Sequence, residues 1–112
     1  MFSNIDLIKH ILDEIEFVLF NTKDKSYDQV FEDNILNRAI IRSLEIIGEA
    51  SKKINPDFKS QYVQVDWKAM AGTRDKLIHD YFGVDYDIVW DIIKNELPDL
   101  FSELKRIIEL NS

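Results

Sequence analysis

Apolar side chains recur at steps of three and four through most of the chain, and that period suits only one kind of element. Ile5, Ile8, Leu12, Ile15 and Leu19 share one face of a helix. The spacing predicts a first helix over about 4–20, closed by the polar run Asn21-Thr22-Lys23-Asp24-Lys25. Ser26 with Gln29 three residues on has the form of a capping box, so a second helix starts there. Its stripe of Leu36, Ala39, Ile40, Leu44, Ile47 and Ile54 carries it over about 28–54, and Pro56 ends it because the residue before a proline disfavours helical dihedrals.

Residues 56–65 read as a loop with an aromatic plug at Phe58 or Tyr62. Asp66 is placed to cap a third helix that holds Trp67, Met70, Ala71, Leu77 and Ile78 and stops at Gly83. Asp85 caps a fourth helix over about 86–95, and Pro98 suits the first turn of a fifth with Leu100, Phe101, Leu104, Ile107 and Ile108 inward. No strand and no repeat is legible. The fold class that follows is all-α, an antiparallel bundle of four to five helices forming one domain over 1–112. Phe17, Phe20, Ile46, Tyr86 and Val89 lie off the stripes, and this surplus apolar surface suits a two-fold homodimer.

Charge narrows the function. The 112 residues carry 14 basic and 21 acidic side chains, a formal net charge of −7, which argues against generic electrostatic binding to nucleic acid, DNA included. The charge is uneven, however: residues 1–37 sum to −5, residues 38–76 to +3 and residues 77–112 to −5. A polyanion would therefore meet the middle segment, around Arg38, Arg42, Lys52, Lys53, Lys68, Arg74 and Lys76. The chain has no Cys and hence no disulfide or thiolate chemistry. Neither a secretion signal nor a membrane span is legible, which makes cytoplasm the expected location.

Several chemistries have no handle. The two histidines, His10 and His79, lack metal-ligand spacing, and no metal site is expected. P-loop, dinucleotide and serine-hydrolase motifs are absent. What stands out is the stretch from Ala71 to Gly83, where Arg74, His79 and Tyr81 crowd the end of an apolar-periodic helix. Arginine offers a planar cationic fork for phosphate oxygens, and histidine exchanges a proton near neutral pH. RNA supplies its own 2′-hydroxyl nucleophile, so these groups are the minimum for cutting it without a metal. On an ideal helix Arg74 and His79 would sit roughly 140° apart and not stack as one intrachain pair, whereas a two-fold dimer could bring two copies of each together in one cleft. A plainer reading stays open: Arg74 paired with Asp75, Asp80 or Glu49, and His79 as a helix-end histidine. Trp67 and Trp90 read as packing residues, and Gly72 beside Ala71 as a place for close helix contact.

The string R-x-x-x-x-H-x-Y, present as Arg74, His79 and Tyr81, follows Ala71-Gly72 and precedes Phe82-Gly83-Val84-Asp85. With Arg38-Ala39, the block Arg42 to Ala50 and the run Asp87-Ile88-Val89-Trp90, it resembles the signature of HepT-like proteins in the HEPN superfamily. The resemblance implies a dimeric helical toxin of a toxin-antitoxin pair, acting as a metal-independent ribonuclease beside an MNT-type nucleotidyltransferase antitoxin. It implies that Arg74 holds the scissile phosphate and that His79 is the general acid or base. Asp75 fills the polar position after the arginine, where many relatives carry asparagine. Tyr81 matches the residue that accepts AMP from the partner, whose ATP and magnesium are the only cofactors implied. Arg38, Arg42, Lys68 and Lys76 then become RNA-backbone contacts. The competing expectation is a non-catalytic helical module that docks the nucleotidyltransferase.

Overall fold

A computed structural model describes residues 2–77 and 83–112. The first helix, α1, spans Asn4–Thr22. Its start is a reciprocal cap: the Asp6 N–H donates to Ser3 Oγ and the Ser3 N–H to Asp6 Oδ2, both at 3.1 Å. The capping box read from Ser26 and Gln29 is present and opens α2, Tyr27–Phe31. That helix does not continue to residue 54 as the apolar period suggests. Asp33 accepts from the N–H groups of Ile35 and Leu36, both at 3.0 Å, and so begins a new helix, α3, over Asn34–Lys53. The Asn37 side-chain amide donates to the Phe31 carbonyl at 3.0 Å and satisfies the end that the break leaves open.

The expected loop over 56–65 contains a short helix, α4, Pro56–Gln61, with Pro56 in its first turn and Asn55 capping Asp57 N–H at 2.7 Å. Phe58 and Tyr62 do form the plug, their rings 5.0 Å apart and packed on the core. The third expected helix is split in two: α5, Trp67–Ala71, is capped by Asp66, and α6, Thr73–Leu77, follows Gly72. Among the described residues Gly72 makes no close helix contact: a Cβ there would meet the carbonyl oxygens of Lys68 and Ala69 in its own turn. Expected helical positions 78–82 lie outside the described residues. Gly83 has φ +84°, the left-handed geometry its position required, and Asp85 caps the next helix.

Helices four and five prove continuous. α7, Tyr86–Asp91, passes through a π turn, Ile92–Glu96, into α8, Leu97–Leu110. The Leu97 N–H donates five residues back, to Ile92 O, immediately before Pro98. A proline within a helix deletes one hydrogen bond and presses on the carbonyl four residues back. The wider π turn absorbs that without ending the helix.

The fold is all-α, with no β-strand among the described residues. Asn55 N–H donates to Asn4 Oδ1 at 3.0 Å, which brings the end of α3 to the start of α1 and makes them antiparallel. Asn111 at the end of α8 donates to the Tyr62 hydroxyl at 3.0 Å, at that same end of the bundle. α1 packs along both α3 and α8, so its covered face is wider than a single stripe and centres on Ile8, Ile11, Ile15 and Val18, with Ile5, Leu12 and Leu19 half-buried beside it. α3 forms the spine, burying Leu36, Ile40, Leu44 and Ile47, and carries α5 and α6 on its flank. Of the surplus apolar residues, Phe17 and Phe20 are exposed, the latter by 77%, and Ile46 and Tyr86 are half-buried; Val89 is fully buried and belongs to the core. No described helix is long and apolar enough to cross a membrane.

Candidate functional site

The stretch that holds His79 and Tyr81 in the sequence lies between α6 and α7. On the departing side, Leu77 is fully buried and plants the last turn of α6 in the core. Arg74 lies on this helix; its side chain falls outside the described part, as do His79 and Tyr81 entirely. Asp75 and Lys76, the neighbours of Arg74, are exposed.

On the returning side the anchoring is dense. The Asp85 N–H donates to Leu77 O at 3.0 Å, joining the two ends directly. The Asp85 carboxylate accepts from the N–H groups of Asp87 and Ile88 at 3.0 and 3.3 Å, capping α7. Tyr86 stacks on Phe31 with ring centroids 4.5 Å apart and planes 13° from parallel. Trp90 meets Tyr27 and Phe31 edge to face, and Lys94 Nζ sits 4.6 Å from the Trp90 ring. The Tyr27 hydroxyl donates to Asp87 Oδ1 at 2.9 Å across 60 residues of sequence. That bond pushes the Tyr27 hydroxyl above its ordinary value, with burial and the carboxylates of Asp87, Asp85 and Asp28 adding to it. α2, which the apolar period of the sequence joins to α3, is therefore what braces α7.

The basic residues of the middle segment are distributed over three helices. Arg38 and Arg42 are exposed one turn apart on α3, and Lys68 is exposed on α5. Lys76 lines a shallow hollow with Ile88 and three carboxylates, Asp87, Asp91 and Glu96, so its charge is locally outweighed. Lys52 and Lys53 are exposed at the end of α3, where cations suit the carbonyl dipoles.

A second hollow lies between α3, α5 and the π turn. Leu44, Ile47, Met70 and Leu97 floor it, while Asp66, Glu96, Asp99 and Glu103 rim it. Burial raises the Glu103 carboxyl, and Asp99 and Asp66 push the same way. Among the described residues no group of three or more His, Asp or Glu is arranged to hold a metal ion. His10 is exposed on α1 and meets the edge of Phe2 at 4.8 Å. Trp67 is a packing residue as read, its ring N–H donating to Tyr62 O at 3.0 Å.

The family model for "Ribonuclease HepT-like" matches residues 4–107, which takes in α1 through most of α8 and the whole R-x-x-x-x-H-x-Y stretch. The chain belongs to the HepT-like ribonuclease family. A relative from Caldanaerobacter subterraneus subsp. tengcongensis, named as a candidate RNase, is 46% identical over 102 residues, covering 91% of each chain. One from Methanocaldococcus jannaschii, named the same way, is 45% identical over 104 residues, 93% of this chain and 83% of its own. A Thermococcus cleftensis protein named "Probable ribonuclease HepT" is 39% identical over 105 residues, 94% of this chain and 96% of its own. No solved structure matches the chain. The HepT-like assignment and the relatives' names indicate that this chain is a ribonuclease.

The sequence motif draws attention to Arg74, His79 and Tyr81 but has no means of finding the brace. Tyr27 and Asp87 are far apart in the chain and neither belongs to a spacing pattern. Phe31 reads from sequence as one more residue of a long helix; only the break at Asp33 turns its ring toward Tyr86.

Proposed function

We propose that this HepT-like chain is the toxin of a toxin-antitoxin pair, a metal-independent endoribonuclease whose site combines Arg74 and His79 in the cleft of a two-fold homodimer. The observation that carries the reading is the family match over residues 4–107, spanning both the Arg38–Arg42 block and the Arg74–Tyr81 stretch. The step balances without a cofactor. A base, His79 of one copy, takes the proton of the 2′-hydroxyl; the 2′-oxygen bonds to phosphorus; the P–O5′ bond breaks, and an acid, the second His79, protonates the leaving oxygen. Arg74 holds the non-bridging oxygens as charge builds on them. Asp75 is the adjoining polar group, and Arg38, Arg42, Lys68 and Lys76 meet the RNA backbone. The exposed Phe17 and Phe20 supply apolar surface for the second copy.

The partner in this reading is an MNT-type nucleotidyltransferase that neutralises the toxin in the cytoplasm. The Tyr81 phenol attacks the α-phosphate of ATP, pyrophosphate leaves, and AMP on Tyr81 fills the cleft with bulk and negative charge that exclude RNA. ATP and magnesium are the partner's requirements. The test is cleavage of RNA in EDTA by wild-type protein and His79→Ala, with the product ends analysed: the reading expects 2′,3′-cyclic phosphate from wild type alone. Tyr81→Phe incubated with the partner and ATP should gain no AMP mass; a gain assigns the acceptor elsewhere. The net charge of −7 favours one alternative, a non-catalytic module that docks the nucleotidyltransferase, and that module would bind its partner equally well as His79→Ala.

A further inference from the structure

Asp85 is not a member of the R-x-x-x-x-H-x-Y string, yet its backbone joins the two described ends of the stretch containing His79 and Tyr81. Its backbone N–H holds Leu77 O at 3.0 Å, and its carboxylate holds the first turn of α7 through Asp87 N–H and Ile88 N–H. One residue thus fixes the exit of α6 to the entry of α7. The carboxylate cap and the amide bond meet at one residue, whose backbone stands at φ −86° and ψ 103°. Both anchors are packed against other elements. Leu77 is fully buried, and the residue after Asp85, Tyr86, is stacked on Phe31. Gly83, with φ +84°, turns the chain into this arrangement.

We propose that Asp85 is a positioning residue for the ribonuclease site: its clasp between Leu77 and α7 sets where the stretch carrying His79 begins and ends relative to Arg74. The proposal rests on the ribonuclease reading for its catalytic consequence, and on the hydrogen bonds alone for the clasp. Catalytic groups misplaced by about 1 Å lose on the order of a hundredfold in rate, so removing the clasp lowers kcat rather than RNA binding. Asparagine accepts the same two N–H groups and preserves the clasp; alanine does not.

The test compares wild type with Asp85→Ala, Asp85→Asn and Asp33→Ala. Asp33 makes the same kind of cap, at the start of α3, away from the Leu77 carbonyl, so Asp33→Ala controls for simple loss of a helix cap. Circular dichroism confirms that each is folded, RNA cleavage gives kcat and KM, and NMR hydrogen exchange follows the amide of residue 85. Asp85→Ala is expected to lose protection at that amide and roughly tenfold to a hundredfold in kcat, with KM within about twofold of wild type. Asp85→Asn and Asp33→Ala should retain both properties. Unchanged protection in Asp85→Ala overturns the clasp. Lost protection with unchanged kcat, or an equal kcat loss in Asp33→Ala, overturns the positioning role. Wild-type protein that cuts no RNA overturns the ribonuclease reading and the positioning role with it, while the amide exchange still decides the clasp.

Discussion

Replacing Gly83 by alanine isolates one term of the fold's energetics. Gly83 has φ +84°, and a Cβ built on it meets no atom of the described residues within 4 Å, so the cost is taken to lie in the backbone. For an L-residue the left-handed region costs about 1–2 kcal/mol. Alanine recovers about 0.4–1 kcal/mol of this by restricting the unfolded chain. The net is a destabilisation of about 1 kcal/mol, which in a domain of this size lowers Tm by roughly 4–8 °C. Gly83→Asn should lose less than half as much, because asparagine tolerates the left-handed region. Thermal and urea unfolding of the three proteins measure this, with the urea slope m expected to be unchanged. A Gly83→Ala protein as stable as wild type would refute the reasoning, as would equal losses for alanine and asparagine, since the second result would mean that side-chain space and not backbone conformation sets the cost.

Two further perturbations test the electrostatics around the site. Tyr27→Phe removes the hydroxyl that donates to Asp87. Because the Tyr27 hydroxyl is held above its ordinary value of 10.0, its contribution is complete below pH 10 and disappears as pH rises through the raised value. Wild type should therefore be the more stable protein at pH 8, with the difference shrinking above pH 10; a difference that is constant with pH would contradict the assigned bond. Glu103→Gln tests the acidic hollow in the opposite sense. The Glu103 carboxyl is raised by burial and by Asp99 and Asp66, so the folded chain holds its proton more tightly than the unfolded one and loses stability as pH rises through the raised value. The glutamine variant should match wild type near pH 4 and have the higher Tm at pH 7; a lower Tm at pH 7 would show that the charged carboxylate is favourable.

Much of this fold is legible in the sequence because its helices are amphipathic and carry explicit caps. Ser26, Asp66 and Asp85, read as caps from the sequence, each cap a helix in the structure, and Gly83 takes the left-handed conformation read for it. The differences share one physical cause. Hydrophobic period reports which residues face inward, and it stays in phase across a short interruption, so the breaks at Asp33 and Gly72 are invisible to it. The reverse error occurs at Pro98, where a π turn carries the helix past a residue that normally ends one. The site divides similarly. Arg74, His79 and Tyr81 are proposed from residue type and spacing alone, whereas the Tyr27–Asp87 bond and the Phe31–Tyr86 stack join residues about 55 to 60 apart, which no local pattern encodes.

The central claim is that this HepT-like chain cuts RNA with its own side chains. The most direct measurement is cleavage of total and transfer RNA in EDTA by freshly purified wild type and His79→Ala, with the intact mass of both proteins recorded on the same samples. The account predicts cleavage by unmodified wild type alone, with cyclic phosphate ends. RNA left intact by a wild-type protein whose mass shows no added AMP would contradict it and assign the chain to partner docking.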